Sequence, residues 1–162
     1  MYKRQTVHSA TATQNVVDSA SSNNRRISRG ILNNIIPSTT GAAKAVGRVV
    51  PELEGILTGM AYRVPTSNVS VVDFSVNLKK STTMNEISSI ILNASKDKYK
   101  GVIGFCDEDL VSTDFNGDTR TSIFDKNASL QITPHFFKLV CWYDNETGYS
   151  HKLIERARHM FR

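Results

Sequence analysis

Alternating apolar and polar positions recur along the chain and predict β-strands. Strands are predicted at residues 6–14, 57–65, 69–78, 102–105, 122–125, 129–132 and 136–143. The last of these is almost continuously apolar, as in a central strand of a sheet. Turn-like residues 65–68 separate the second and third strands, so we expect those two strands to be antiparallel neighbours. Lys126 and Asn127 predict a turn between the two short strands at residues 122–125 and 129–132.

Apolar residues fall at helical spacing in three further segments, at residues 39–50, 86–95 and 150–161. Thr83 or Asn85 is expected to cap the second helix. Helices set between strands without strict βαβ alternation predict an α+β fold, with a mixed, mostly antiparallel sheet and helices on one face. No G-x-G-x-x-G motif is present, so an N-terminal Rossmann domain is not expected in this chain.

A chain of 162 residues is long enough for one domain with a single hydrophobic core, and we place this domain at residues 6–162. Residues 1–5 do not continue the pattern and are interpreted as an adapter outside the fold. Residues 15–34 predict an extended polar loop, and loops of that length are usually functional or held by another subunit. No signal segment or membrane span is apparent, which predicts a cytoplasmic protein.

The composition excludes several classes of function. Cys106 and Cys141 are too few for a disulfide framework and lack the spacing of metal ligands, so no metal is expected. The net charge of +5 suits a phosphorylated ligand or nucleic acid. Because the basic residues are scattered and not interleaved with aromatic ones, nucleic acid is the weaker interpretation.

The segment around Thr40 and Gly41 has the pattern of an anion site. A hydroxyl residue and a glycine run directly into an Ala-rich helix, whose first N–H groups and dipole favour negative charge. An ordinary capped helix start has the same pattern, so this segment alone leaves both interpretations open.

Three other residues are candidates for binding or catalysis. His8, near a strand end, has a side chain suited to general base catalysis or to a structural hydrogen bond. Arg63, within an otherwise apolar strand, is expected to meet a carboxylate or an anionic ligand, because a buried unpaired guanidinium is costly. Asn145 follows the last strand, where an amide can orient a ligand, while Trp142 and Tyr143 are expected in the core.

Several of these segments together resemble one known family. The resemblance is carried by T-V-H-S-A-T-A-T-Q, W-Y-D-N-E-T-G-Y and the segments between them, at residues 6–14, 34–47, 57–66, 68–73 and 142–149. This set, in this order and spacing, closely resembles the C-terminal catalytic domain of phosphorylating glyceraldehyde-3-phosphate dehydrogenases.

The resemblance implies a mechanism. In the family, a cysteine thiolate attacks the aldehyde of glyceraldehyde 3-phosphate, hydride passes to NAD, and inorganic phosphate cleaves the thioester to give 1,3-bisphosphoglycerate. His8 matches the catalytic base. The remaining matches imply binding residues for three ligands. Thr11, Arg63 and Arg26 match the binding site for the substrate phosphate, with Arg29 as the register alternative to Arg26. Thr40 and Gly41 match the site for inorganic phosphate, and Asn145 and Tyr149 match residues that contact NAD.

The sequence also departs from the family pattern. The family's Ser-Cys-Thr-Thr-Asn-Cys motif and its NAD-binding domain, which holds most of the cofactor, have no counterpart here, and residues 19–25 differ in the loop that reaches a neighbouring subunit of the homotetramer. We therefore expect an N-terminally truncated fragment that is inactive alone. A fragment of an erythrose-4-phosphate dehydrogenase, or a stand-alone anion-binding or interaction domain, are the alternatives.

Overall fold

The structure is a computed structural model that describes residues 2–20 and 24–161. Met1, Arg162 and residues 21–23 of the predicted polar loop lie outside the described residues. The strands are β1 (Tyr2–His8), β2 (Ile36–Ser38), β3 (Leu57–Arg63), β4 (Ser70–Asn77), β5 (Ile103–Cys106), β6 (Ser122–Gln131) and β7 (Phe136–Tyr143). The α-helices are α1 (Ala42–Val49), α2 (Met84–Lys96) and α3 (Asn145–Met160), and short 3-10 helices cover Pro51–Leu53 and Ser112–Phe115.

The strands form one mixed sheet in the order β2-β3-β1-β4-β7-β6-β5. The β1–β3 and β5–β6 pairs are parallel and the other four are antiparallel, which confirms the predicted α+β fold with a mostly antiparallel sheet. The prediction that the second and third strands, here β3 and β4, are neighbours was wrong. β1 lies between them, because it pairs in parallel with β3 and antiparallel with β4.

Three predicted boundaries also differ. The two short strands predicted at 122–132 are one strand, β6, whose irregularity between Asp125 and Leu130 replaces the predicted turn. Residues 2–5 were predicted to lie outside the fold. They form the first half of β1 and pair with residues 57–60 of β3. α3 begins at Asn145, five residues before its predicted start, because the Asp144 carboxylate caps it by accepting from the Thr147 amide.

The core lies under the β6–β7 half of the sheet. Ile123 and Phe137 have no exposed surface, and Phe115 stacks on Trp142 with ring centroids 5.5 Å apart. Trp142 also donates from Nε1 to Asp125 at 2.8 Å, which satisfies the indole as its expected core position requires. α2 packs against β5 and β6. Its N-cap is Thr83, the first of the two predicted caps, with a complete capping box to Glu86.

The last helix carries an apolar surface that the described residues leave uncovered. Leu153 and Ile154 are about half exposed, and Phe161, just after the helix, is 90% exposed. None of the helices in the described parts of the chain combines the length and the hydropathy that a membrane span requires.

Candidate active site

His8 and Arg63 lie side by side where two parallel strands end. β1 ends at His8 and β3 ends at Arg63, and the two residues are directly paired in the register of the sheet. The sequence had suggested that Arg63 lies within a strand. It lies at the end of β3 instead. Because parallel strands present their carboxyl ends at the same edge, the sheet itself brings the candidate base and the candidate anion ligand together.

The contact between the two side chains is direct. Arg63 Nη1 lies 2.7 Å from His8 Nδ1, and the same ring nitrogen lies 2.8 Å from the carbonyl oxygen of Ser9. The Tyr143 ring meets the His8 ring edge to face, with centroids 6.1 Å apart. Arg63, which was expected to meet a carboxylate or an anion, thus contacts a titratable ring among the described residues.

The surroundings of His8 favour its neutral form. Burial lowers the pKa of His8 from its ordinary value, and the charges of Arg63 and Arg4 lower it further. The Ser9 carbonyl and Glu146 act in the opposite direction without reversing the shift. A neutral imidazole near physiological pH can accept a proton, which is the state that a general base needs.

His8 opens into a cavity of about 260 Å³ built from both sides of the sheet edge. Thr40 reaches it from the approach to α1, and Asn145 reaches it from the first turn of α3. Its lining residues are Arg4, Thr6, His8, Thr39, Thr40, Ala42, Ala61, Arg63, Tyr143 and Asn145. Two arginines, three threonine hydroxyls and an amide can donate hydrogen bonds here, so the cavity suits an anionic polar ligand.

Two neighbouring cavities extend the site. One, of about 460 Å³, includes Arg26 and Gln14 in its walls, and Arg63 borders both this cavity and the one at His8. The other, of about 490 Å³, includes Arg26, Thr40 and Gly41. Arg26 and Arg63 therefore stand where anions in adjacent cavities would meet guanidinium groups.

The Thr40–Gly41 segment is a helix start, as predicted, with a different capping arrangement. Gly41 is the N-cap of α1, and the Thr40 hydroxyl accepts from the Ala42 amide at 3.2 Å. The first turn of α1 contains no acidic residue. Its amide groups and dipole thus favour an anion without competition from a carboxylate of the same turn.

Three candidate residues are not on these cavity walls. The Thr11 hydroxyl bonds locally, to Thr13 at 2.9 Å and Gln14 at 3.0 Å. Arg29, the register alternative to Arg26, pairs with Asp18 at 2.9 Å. Tyr149 is 65% exposed on α3, one turn beyond Asn145.

Several cavity residues were missed from the sequence. Arg4 and Thr6 share a face of β1 with His8, and the two-residue period of a strand carries that signal once residues 2–5 are included in it. Tyr143, expected in the core, is the last residue of β7 and faces His8. The two-residue period of β7 puts Tyr143 on the face opposite Trp142, which stacks on Phe115, but it does not indicate that this face borders a cavity.

Asp144 fixes the position of Asn145. Its side chain is only 1% exposed and accepts from Asn68 Nδ2 at 2.7 Å, from the Gly117 amide at 2.9 Å and from the Thr147 amide at 2.9 Å. Burial opposes ionisation of Asp144, but these donors outweigh it and hold its pKa below the ordinary value. A charged cap with three donors therefore holds the first residue of α3 at the cavity.

Neither cysteine has the environment of a nucleophile. Cys106 is 7% exposed and donates to the Glu108 carbonyl, and burial raises the pKa of its thiol. Burial also raises the pKa of Cys141. Neither residue is in the walls of the cavity at His8, and raised pKa values reduce the thiolate fraction.

Comparison with known proteins identifies relatives over nearly the whole chain. The chain is 58% identical over 150 residues to a glyceraldehyde-3-phosphate dehydrogenase of Buchnera aphidicola subsp. Schizaphis graminum, covering 93% of this chain and 45% of that protein. It is 57% identical over 155 residues to the enzyme of Shimwellia blattae and 54% identical over 155 residues to glyceraldehyde-3-phosphate dehydrogenase A of Escherichia coli K12. Those two alignments each cover 96% of this chain and 47% of the relative.

The chain thus spans about half the length of the curated relatives it matches. The family model described as glyceraldehyde 3-phosphate dehydrogenase, C-terminal domain, matches residues 3–145. With this match, the chain belongs to the glyceraldehyde-3-phosphate dehydrogenase family, and it carries that family's C-terminal domain.

Proposed function

We propose that this chain supplies the general base and the anion-binding sites of a phosphorylating, NAD-dependent glyceraldehyde-3-phosphate dehydrogenase of the cytoplasm. The observation that carries the proposal is the single cavity where His8, Arg63, Thr40 and Asn145 meet. A base beside guanidinium and hydroxyl donors suits an aldehyde that carries a phosphate group. The family membership supports the substrate class.

The residues divide into three roles. His8 is the general base, and its Nδ1 lies within hydrogen-bond distance of the Ser9 carbonyl and of Arg63. Arg63 and Arg26 bind the substrate phosphate, with Thr11 joining them once its hydroxyl leaves its local bonds. Thr40 and Gly41 bind inorganic phosphate at the start of α1, where N–H groups offset the charge of a second anion.

Asn145 fits a role in binding the nicotinamide of NAD. Its amide stands in the cavity wall beside His8, and an amide both donates and accepts, as a carboxamide ligand requires. When bound, NAD supplies the hydride acceptor. Tyr149 follows one turn later on the same helix and is exposed enough to lie against such a ligand.

The nucleophile comes from outside these residues in this proposal. His8 can take up a proton, but Cys106 and Cys141 are outside the walls of its cavity, and burial raises the pKa values of both thiols. Covalent catalysis needs a thiolate within reach of the base, so the chain alone should bind anions without oxidising an aldehyde. The uncovered apolar residues of α3 suit burial against the rest of a homotetrameric enzyme.

A chimera tests the proposal. The chain replaces the aligned C-terminal half of the Escherichia coli relative, and NADH formation is followed with glyceraldehyde 3-phosphate, NAD and inorganic phosphate. We expect activity in the chimera and none in the isolated chain. His8→Asn should lower kcat of the chimera by about 100-fold or more, the usual scale for a general base. An inactive but folded and tetrameric chimera, or NADH formation by the isolated chain, would contradict the proposal.

Phosphate binding by the isolated chain is a second candidate function. It is favoured by Arg63, whose Nε is buried and has no hydrogen-bond partner within residues 2–20 and 24–161. A desolvated guanidinium with an unused donor gains most from an anion. Calorimetric titration with inorganic phosphate should show binding that Arg63→Gln weakens. Heat changes that are equal in both proteins would argue against this site.

A further inference from the structure

One atom, His8 Nδ1, is approached by two groups that make opposite demands on it. The Ser9 carbonyl, at 2.8 Å, can only accept a hydrogen bond, so it requires a proton on Nδ1. Arg63 Nη1, at 2.7 Å, can only donate, so it requires a lone pair on Nδ1. No single protonation state of the ring satisfies both contacts.

The two contacts correspond to the two neutral tautomers of His8. If Arg63 donates to Nδ1, the ring proton is on Nε2, and Nε2 cannot act as a base. If Nδ1–H donates to Ser9, Nε2 carries the lone pair and is ready to accept a proton. Whether Nε2 can act as a base therefore depends on where the Arg63 guanidinium donates.

Arg63 has a reason to donate elsewhere when an anion is present. Its Nε is buried without a hydrogen-bond partner among the described residues, and the side chain borders both the His8 cavity and the adjoining 460 Å³ cavity that contains Arg26. A charge-assisted bond to an anion is stronger than a bond to a neutral ring nitrogen. An anion between the arginines would thus draw Arg63 away from His8.

We infer that Arg63 is a positioning residue that couples anion binding to the tautomer of His8. Without an anion, its guanidinium donates to Nδ1 and holds the proton on Nε2. When a phosphate group engages Arg63, Nδ1 takes a proton from solvent and donates to Ser9, while Nε2 releases its proton to solvent. The net charge of the ring is unchanged, and Nε2 becomes a base when the anion is in place. The inference rests on the proposed role of His8 as the base.

Other charged and titratable groups face His8 without making this contact. They are Arg4 on β1, Tyr143 on β7 and Glu146 on α3. Arg4 is the useful comparison, because it carries the same charge in the wall of the same cavity. Its removal changes the field at His8 but leaves the bond from Arg63 to Nδ1.

Nuclear magnetic resonance of the 15N-labelled imidazoles tests the inference on the full 162-residue chain. His8→Gln identifies the His8 signals among the four histidines. Without an anion, we expect the proton mainly on Nε2 in the wild type and in Arg4→Gln, and mainly on Nδ1 in Arg63→Gln. Saturating inorganic phosphate or glycerol 3-phosphate, at constant ionic strength, should change the tautomer ratio of the wild type by about fivefold, the factor that one hydrogen bond supplies.

The amide signals of Gln14, Asn24 and Ile27, which line the 460 Å³ cavity together with Arg26 and Arg63, report anion binding at Arg63 separately. If they respond but the His8 tautomer stays the same, the inference is overturned and the proposed anion site stands. If they do not respond, the proposed phosphate-binding site is contradicted. The comparison of Arg63→Gln with Arg4→Gln then still decides the inference. It is overturned if both variants have the wild-type tautomer or if both lose it. Should Arg63→Gln fail to fold, a wild-type His8 proton on Nδ1 before any anion is added would overturn it.

Discussion

His8 is held neutral by its surroundings, and this has a consequence for stability. Burial and the charges of Arg63 and Arg4 lower its pKa in the folded chain. The unfolded chain, with an ordinary histidine pKa, therefore binds a proton more readily as the pH falls. The stabilising contribution is present above the unfolded pKa of about 6.5 and is lost as the pH falls through the lower folded value.

We expect the wild type to lose more free energy of unfolding than His8→Gln between about pH 7.5 and about pH 5. Urea denaturation at a series of pH values measures both proteins. The other three histidines are common to the pair, so their contributions cancel in the difference. Parallel pH profiles for the two proteins would rule out a depressed His8 pKa.

Asp144 is the second residue whose local bonds determine the site. Asp144→Ala leaves the Asn68, Gly117 and Thr147 donors without their acceptor in a buried position, so we expect a loss of about 3 kcal/mol in the free energy of unfolding. Asp144→Asn keeps one acceptor and should cost less. The exposed Asp107→Ala is the control and should change stability by less than about 0.5 kcal/mol. Chemical denaturation gives all three values, and a cost for Asp144→Ala equal to that of the control would refute the assigned role.

Sequence reasoning gave the residue types of the site but not their contacts. The resemblance pointed to His8, Arg63, Thr40 and Asn145, and these four meet at one cavity. The bond from Arg63 to His8 depends on a parallel pairing of strands that are about fifty residues apart in the chain, and a local pattern carries no such information. Tyr143 was missed for the same reason, because the strand opposite it decides whether a strand-end aromatic faces the core or a cavity.

At the scale of elements, helix α2 is stabilised by a reciprocal pair of bonds at its first turn. The Thr83 hydroxyl accepts from the Glu86 amide at 3.2 Å, and the Glu86 carboxylate accepts from the Thr83 amide at 2.9 Å. We expect Thr83→Ala to cost about 1 kcal/mol in the free energy of unfolding. Thr83→Ser keeps the hydroxyl and serves as the matched control in thermal or urea denaturation. An equal loss in the alanine and serine variants would show that the methyl group, and not the cap, is responsible.

The elements predicted best were those determined by local chemistry. Thr83, one of the two predicted caps of α2, and the apolar strand β7 are both determined by consecutive residues. The structure has that cap, and α2 and β7 lie within two positions of their predicted bounds. The order of the sheet is not local, because β1 inserts between β3 and β4 and replaces the expected hairpin. The start of α3 was placed too late because its first residues, Asn145 to Gly148, are residue types typical of a loop. The Asp144 cap that begins the helix is buried and depends on contacts with Asn68 and Gly117, which are distant in the sequence.

In the whole molecule, the site and the tightest packing lie in different parts of the sheet. The cavity at His8 forms where β1, β3 and β7 end and where α1 and α3 begin, so five elements each contribute a side chain to it. The three most buried apolar residues of those described, Ile123, Phe124 and Phe137, are in β6 and β7. Charged groups near the cavity can therefore change without disturbing the core.

Two phenylalanines at the extremes of exposure test this division of the molecule. Phe137 has no exposed surface in central strand β7, whereas Phe161, after α3, is 90% exposed. Phe137→Ala should cost about 3–5 kcal/mol because it removes a large buried ring and leaves a cavity. Phe161→Ala should stay within about 0.5 kcal/mol in the isolated chain. Urea denaturation of both variants decides the matter: a large cost for Phe161→Ala would mean that the isolated chain already covers this surface, for example by self-association, which sedimentation would then detect. A negligible cost for Phe137→Ala would place the stabilising core elsewhere than in β6 and β7.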